Sequence, residues 1–211
     1  MVMSPATTVK AWHFTGTTLR DGRPIPPVGE WLIHEGDVKM CERGLHASRK
    51  VLEAVTYAPA GTIHRVECRD VVQEDSDKLV CRARRIVGTV QTDRADQILR
   101  RFARLCAWTQ LDKWDAPEIV WRWLETGDES IRAAASAAAW DAAWDAASDA
   151  ARDAAWAAAR AAASAAARDA AWDAAWDAAW AAASAAARAA ASAAYNLELE
   201  KLLLAEMGLK R

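Results

Sequence analysis

Glycine and proline are missing between Gly127 and Gly208, and with them the usual signals that stop a helix. Residues 132–195 also lack Val, Ile and Thr, which argues against a β-solenoid as the source of the short repeat found there. The chain carries no Lys/Arg cluster of the kind a polyanion binder needs, and its formal net charge is −2. Nucleic-acid affinity depends on clustered cations that displace counterions, so no nucleic-acid partner is expected. Asp or Arg interrupts every apolar stretch before about twenty residues accumulate, which excludes a membrane-spanning helix. The opening Met-Val-Met-Ser-Pro lacks the regions of a secretion signal, and Cys41, Cys68, Cys81 and Cys106 lie far apart. They read as reduced thiols of a cytoplasmic protein.

What the sequence has in quantity is alanine. From Arg132 to Tyr195 it repeats in four-residue units. The first position is Trp (140, 144, 156, 172, 176, 180), Arg (132, 152, 160, 168, 188) or Ser, and the second is Asp or Ala. The third and fourth are Ala in every unit but the last, which ends in Tyr195. Alanine is the best helix former. Thr126 followed by Glu129 matches a capping box. The pattern therefore predicts one very long helix over residues 128–207, about 120 Å at 1.5 Å per residue.

On a helix the first two positions share one side and the last two the other. The alanine side, represented by Ala142, Ala143, Ala174 and Ala175, admits nothing larger and predicts close packing against another helix. A period of four against 3.6 residues per turn turns that stripe by about 40° per unit, which predicts a right-handed supercoil or a multi-helix assembly. The other side carries Trp140, Trp144, Trp156, Trp172, Trp176 and Trp180. Each ring can bury about 150–250 Å², so water is a poor neighbour for all six. Asp141, Asp145, Asp149 and Asp153 form one ladder of like charges, and Asp169, Asp173 and Asp177 a second. Arg152, Arg160, Arg168 and Arg188, from a neighbouring chain or at i±4 from a Trp, can neutralise or stack on these groups.

Before the repeat, the segments 8–14, 30–34, 37–41, 61–68 and 78–90 read as strands, and residues 49–58 as a helix ending at Pro59-Ala60-Gly61. Residues 94–112 and 117–124 read as a pair of connecting helices. The expected class is α+β: a head at 1–91, a helical connector at 92–127, the long helix at 128–207 and a tail at 208–211.

Cys41, His46, His64 and Cys68 offer thiolate and imidazole, the ligands zinc prefers, and ordinary core Cys and His are the alternative. Cys41 beside His46 is also a candidate nucleophile with a base. No cofactor is expected. The segment Lys39-Met40-Cys41-Glu42-Arg43-Gly44-Leu45-His46-Ala47-Ser48, then a helix, Tyr57 and the strand Ile63 to Cys68, resembles an uncharacterised domain family of phage and actinobacterial proteins. In that family a Cys-x-x-Gly-Leu/Phe-His-Ala core often precedes alanine-rich repeats. The likeness covers about residues 8–90 and assigns no function. More distantly, Gly44-x-His46-x-Ser48, a helix with Glu53-Ala54, and Asp75-x-Asp77 are similar to an ADP-ribosyltransferase layout. Those enzymes place Glu two residues after Gln or Glu, where this chain has Asp twice, so the likeness implies at most a degenerate transferase or toxin head with Asp77 at its site.

Three functional expectations follow. The first is a structural protein that assembles with itself through alanine and tryptophan faces. The second is an enzyme or toxin head on a helical scaffold. The third is a helix lying on a membrane surface, which the aspartate ladders oppose.

Overall fold

A computed structural model describes residues 8–57, 61–146, 148–163, 167–182 and 185–211, with the side chains of 167 and 168 left out. The helix stop read at Pro59-Ala60-Gly61 falls largely on residues outside this set, as does the side chain of Arg168. The chain divides into two compact units, Met1–Ala95 with Glu200–Arg211, and Asp96–Leu199. The class is α+β.

The first unit is built on an antiparallel sheet of β1 (Val9–Thr15), β2 (Trp31–Ile33), β3 (Leu45–Ala47), β4 (Thr62–Glu74) and β5 (Leu79–Val90). Its order is β1-β4-β5-β2, with β3 also on β5. Alternation along the strands sends Ala11, Val66, Cys68 and Ile86 to one face, where they pack with Leu45, Ala47, Leu79 and Cys81. Helix α1 (Val51–Thr56) buries Val51, Leu52, Ala54 and Val55. The segment expected as a strand at 37–41 is instead a turn closed by a bridge from Lys39 to Arg43, with Cys41 at φ +65°. The strand lies just beyond it, at β3.

The opposite sheet face receives the end of the chain. Gly88 lies so close to Met207 and Leu209 that a Cβ there would stand 2.6 Å from the Leu209 side chain. Buried Arg65 pairs with buried Glu200 at 3.3 Å and stacks on Trp12 at 4.6 Å. The leucine-rich terminus thus completes the core of the sheet unit.

The second unit is helical. α2 (Thr92–Trp108) is followed by a short 3-10 turn at Leu111–Lys113, then α3 (Glu118–Thr126). Gly127, at φ +66°, ends α3 with its N–H on the Trp123 carbonyl. Thr126 is therefore the last residue of a helix and not the cap of the next. Its hydroxyl donates back to the Arg122 carbonyl.

The single very long helix is overturned. The repeat forms α4 (Arg132–Trp144), α5 (Asp149–Ala163), α6 (Ala167–Trp180) and the first part of α7 (Ala185–Glu206). The longest of these has 22 residues. The rod, the coiled coil, the right-handed supercoil and the long-helix bundle that followed from it are likewise not what the chain adopts. α5 packs between α4 and α6.

The mismatch of periods accounts for this. Over helices of 13, 15 and 14 residues the alanine stripe turns by about 130–150°, so a longer straight helix would carry it off its neighbour. Breaking the helix re-aims the stripe. Ala154, Ala155, Ala157, Ala158, Ala159, Ala161 and Ala162 on α5 are all buried, as are Ala143, Ala174 and Ala175, while Ala142 is half-buried. Ser148 marks one break, where its hydroxyl accepts the Ala151 N–H at the start of α5. Ser136 instead donates across to the Ala159 carbonyl. Tyr195 departs from the pattern because its buried hydroxyl meets Thr109 and Gln110, each at 2.7 Å. Among the described residues, no helix is long and apolar enough to cross a membrane.

Candidate functional site

With the alanine stripe consumed inside the chain, the variable side of the repeat is what α5 and α6 present. Asp153, Trp156 and Arg160 on α5 face Trp172, Asp173, Trp176, Asp177 and Trp180 on α6 across a groove of about 580 Å³. Residues four apart fall on one helix face, so Trp172, Trp176 and Trp180 stack in a ladder with ring centroids 6.0 and 5.5 Å apart. Trp176 and Trp180 remain 52% and 49% exposed, and Trp144, beyond the groove, 79%. Trp140 meets Trp156 at 6.4 Å across α4 and α5. Arg188 lies over Trp180 at 4.6 Å. This is an intrachain stack between α6 and α7 in place of the i±4 pairing expected of Arg152, which instead bonds Asp149 at 2.9 Å.

The groove holds three carboxyl groups to one guanidinium. Arg160 Nε lies 2.8 Å from Asp177 and its Nη1 3.9 Å from Asp173. The shorter contact is a charge pairing without hydrogen-bond alignment. Neutralisation of the second ladder thus begins within the chain. Asp141, Asp145, Asp149 and Asp169 are exposed. Burial raises the Asp153 carboxyl, with Asp149 adding to it, and burial raises Asp173, partly opposed by Arg160. Asp177, buried deepest, is pushed up to about 6 by desolvation against the pull of Arg160, with Asp173 and Asp153 pushing the same way.

An unfolded Asp titrates near 3.9. The native state therefore holds this proton more tightly than the unfolded chain does, and the stability so contributed is present in acid and lost as pH rises through about 6. Asp177→Asn is uncharged at every pH. Its stability relative to wild type is expected to improve by about 2–3 kcal/mol between about pH 4 and about pH 7. Urea unfolding of both proteins at the two pH values checks this, and a pH-independent difference contradicts it.

In the sheet unit the candidate catalytic and metal residues are otherwise employed. His46 Nε2 accepts the Cys41 N–H at 3.0 Å, and the Gly44 backbone engages the ring as well. The imidazole therefore holds the β3 turn and has no free nitrogen to activate the Cys41 thiol. His64 lies between Thr15 at 2.8 Å and Thr89 at 3.0 Å. Burial and Arg84 lower it to about 4, and the same two causes lower His13 and His46. These imidazoles are neutral near pH 7.

Cys68 is buried against Cys81, which together with burial pushes its thiol far above the ordinary range. Both cysteines are free thiols. Among the described residues, no three His, Cys, Asp or Glu gather as metal ligands. Asp77 accepts the Tyr57 hydroxyl, and Lys78 reaches that hydroxyl at 3.1 Å and the Cys41 side chain. Cys41 and Asp77 are thus linked through Lys78 and Tyr57, two residues that the spacing of the candidates did not single out. Arg84, buried and donating to the His46 carbonyl, was missed too, because an arginine inside a strand reads as surface until its neighbours are known.

No curated protein and no solved structure matches the chain. Residues 9–97, which take in all five strands and α1, match the model of a family described as Domain of unknown function (DUF7666).

Proposed function

We propose that this is a non-enzymatic interaction protein that associates with further copies of itself through the tryptophan-bearing side of its helical unit. The observation that carries the reading is the half-exposed ladder of Trp176 and Trp180 beside three carboxyl groups. Indoles are costly to leave in water and are favoured anchors at interfaces. The alanine side is occupied within the chain, so it is the tryptophan side that has area to offer. A second copy is a fitting partner because the repeat sets Trp and Arg at the same position. A facing copy can bring a guanidinium to a ring and a carboxylate together. The kinship with phage and actinobacterial proteins suggested by Cys41-x-x-Gly44-Leu45-His46-Ala47 belongs to the same proposal.

Light scattering over about a hundredfold range of concentration is expected to show a mass rising above that of one chain. The double substitution Trp176→Ser, Trp180→Ser should weaken association at least about tenfold, the loss typical of an anchoring aromatic, with helix content unchanged. A wild-type protein that stays monomeric throughout would sink the proposal.

A further inference from the structure

A second cavity of the helical unit, of about 220 Å³, shares no lining residue with the tryptophan groove and has the opposite charge. α2 brings Arg100, Arg101 and Arg104 to it, spaced to share one helical face. Arg132 and Glu129 at the start of α4, and Gly127 at the end of α3, complete the charged rim. Glu129 is the one carboxylate there, and it is engaged by Arg132 at 2.8 Å.

Arg104 Nη1 is fully buried and finds no acceptor among the described residues. Its guanidinium occupies the space where a side chain at position 127 would begin, 1.6 Å from the site of a Cβ, so the glycine is what admits it. Burial lowers the basicity of Arg104, with Glu129 opposing that effect and Arg101 adding to it. Buried donors in native proteins are nearly always paired with protein, water or ion. Arg132 is committed to Glu129 and to the Ala162 carbonyl, so it is Arg104 and Arg101 that bring planar N–H forks to the pocket, the geometry that tetrahedral oxyanions accept. The positive end of the α4 dipole lies at the same rim.

We propose that this pocket is an oxyanion site that takes a phosphate group, with the Arg104 guanidinium as its inner cation and Arg101 as its outer one. The volume corresponds to roughly seven waters at about 30 Å³ each, which suits one small anion or the terminal phosphate of a larger molecule.

Isothermal titration of the full chain at fixed ionic strength, with inorganic phosphate and separately with a nucleoside diphosphate, tests it. Saturable one-to-one binding of either supports the site. Equal affinities identify the free anion, and tighter binding of the nucleotide identifies an esterified phosphate. Arg104→Gln is expected to weaken binding about ten- to a hundredfold, as for loss of a charged hydrogen bond. Arg101→Gln changes an exposed residue that leaves the fold intact and should also weaken binding several-fold. Glu129→Gln removes the competing carboxylate and should tighten it. No saturable binding of either probe, or binding unchanged in both arginine variants, overturns the proposal.

Discussion

Glu200→Ala is expected to cost the sheet unit about 3–5 kcal/mol, the range for removing one partner of a buried ion pair. Arg65 and Glu200 are each only 8% exposed at the side chain. Arg65 already has Nη1 without an acceptor among the described residues, and burial already lowers its basicity, with Glu200 opposing that effect. Removing the carboxylate leaves a desolvated cation held by little besides the face of Trp12, and Arg211, 3.1 Å from Glu200, loses its partner as well. The paired substitution Arg65→Met, Glu200→Met should be far milder, because replacing both charges with apolar groups removes the desolvation cost along with the attraction. Denaturant unfolding of the three proteins decides the matter. A Glu200→Ala protein within about 0.5 kcal/mol of wild type, the range of an ordinary surface change, would show that the Arg65–Glu200 pair contributes nothing to stability.

Leucine at positions 155 and 158 should destabilise the helical unit by about 2–6 kcal/mol in total, since overpacking costs about 1–3 kcal/mol per site. Ala155 and Ala158 are 0% and 1% exposed on the helix that packs against both α4 and α6. Three added carbons at each have no space that does not push those helices apart. Ala190→Leu, on an exposed part of α7, is the control and should stay within about 0.5 kcal/mol. A free rod would give the contrary result. Leucine is nearly as good a helix former as alanine, so all three changes would then be close to neutral. Thermal melting followed by circular dichroism distinguishes the cases, with each kcal/mol expected to move Tm by about 2–4 °C.

The two halves of the chain differ in how openly they declare themselves. In the sheet unit, the segments read at 78–90 and 49–58 match β5 and α1 to within about two residues, and the one read at 61–68 matches the start of β4, which runs on to Glu74. Leu45–Ala47 passed unnoticed because three residues show no period; β3 exists through its pairing with Leu79–Cys81. Cys41 and His46 were legible as neighbours, five apart in sequence. That the imidazole receives a backbone N–H depends on a left-handed backbone at Cys41 that no spacing reveals.

The arginine pocket went unread in the sequence, where Arg100, Arg101 and Arg104 were not taken as a cluster. Its walls come from α3, α4 and α5, residues 123–161, too distant in sequence to be counted as one cluster.

By itself the sequence determined that the repeat forms helix, as it does over Arg132–Trp144, Asp149–Ala163, Ala167–Trp180 and the start of Ala185–Glu206, and that one side of each turn must lie close to another backbone. Both are local consequences of alanine, whose small side chain favours the helix and leaves no bulk between neighbours. Where the helix breaks, and whether the close neighbour is the same chain, is a tertiary decision. Alanine, serine and aspartate differ by at most about 0.7 kcal/mol per residue in helix propensity, so no position in the repeat forbids continuation. Burying stripe against stripe gains more than the few backbone bonds lost at each break, and it does so only once α4, α5 and α6 lie side by side. The same folding that hides the alanines leaves the tryptophans and aspartates together at a groove, where the repeat alone had set them along the outside of a rod.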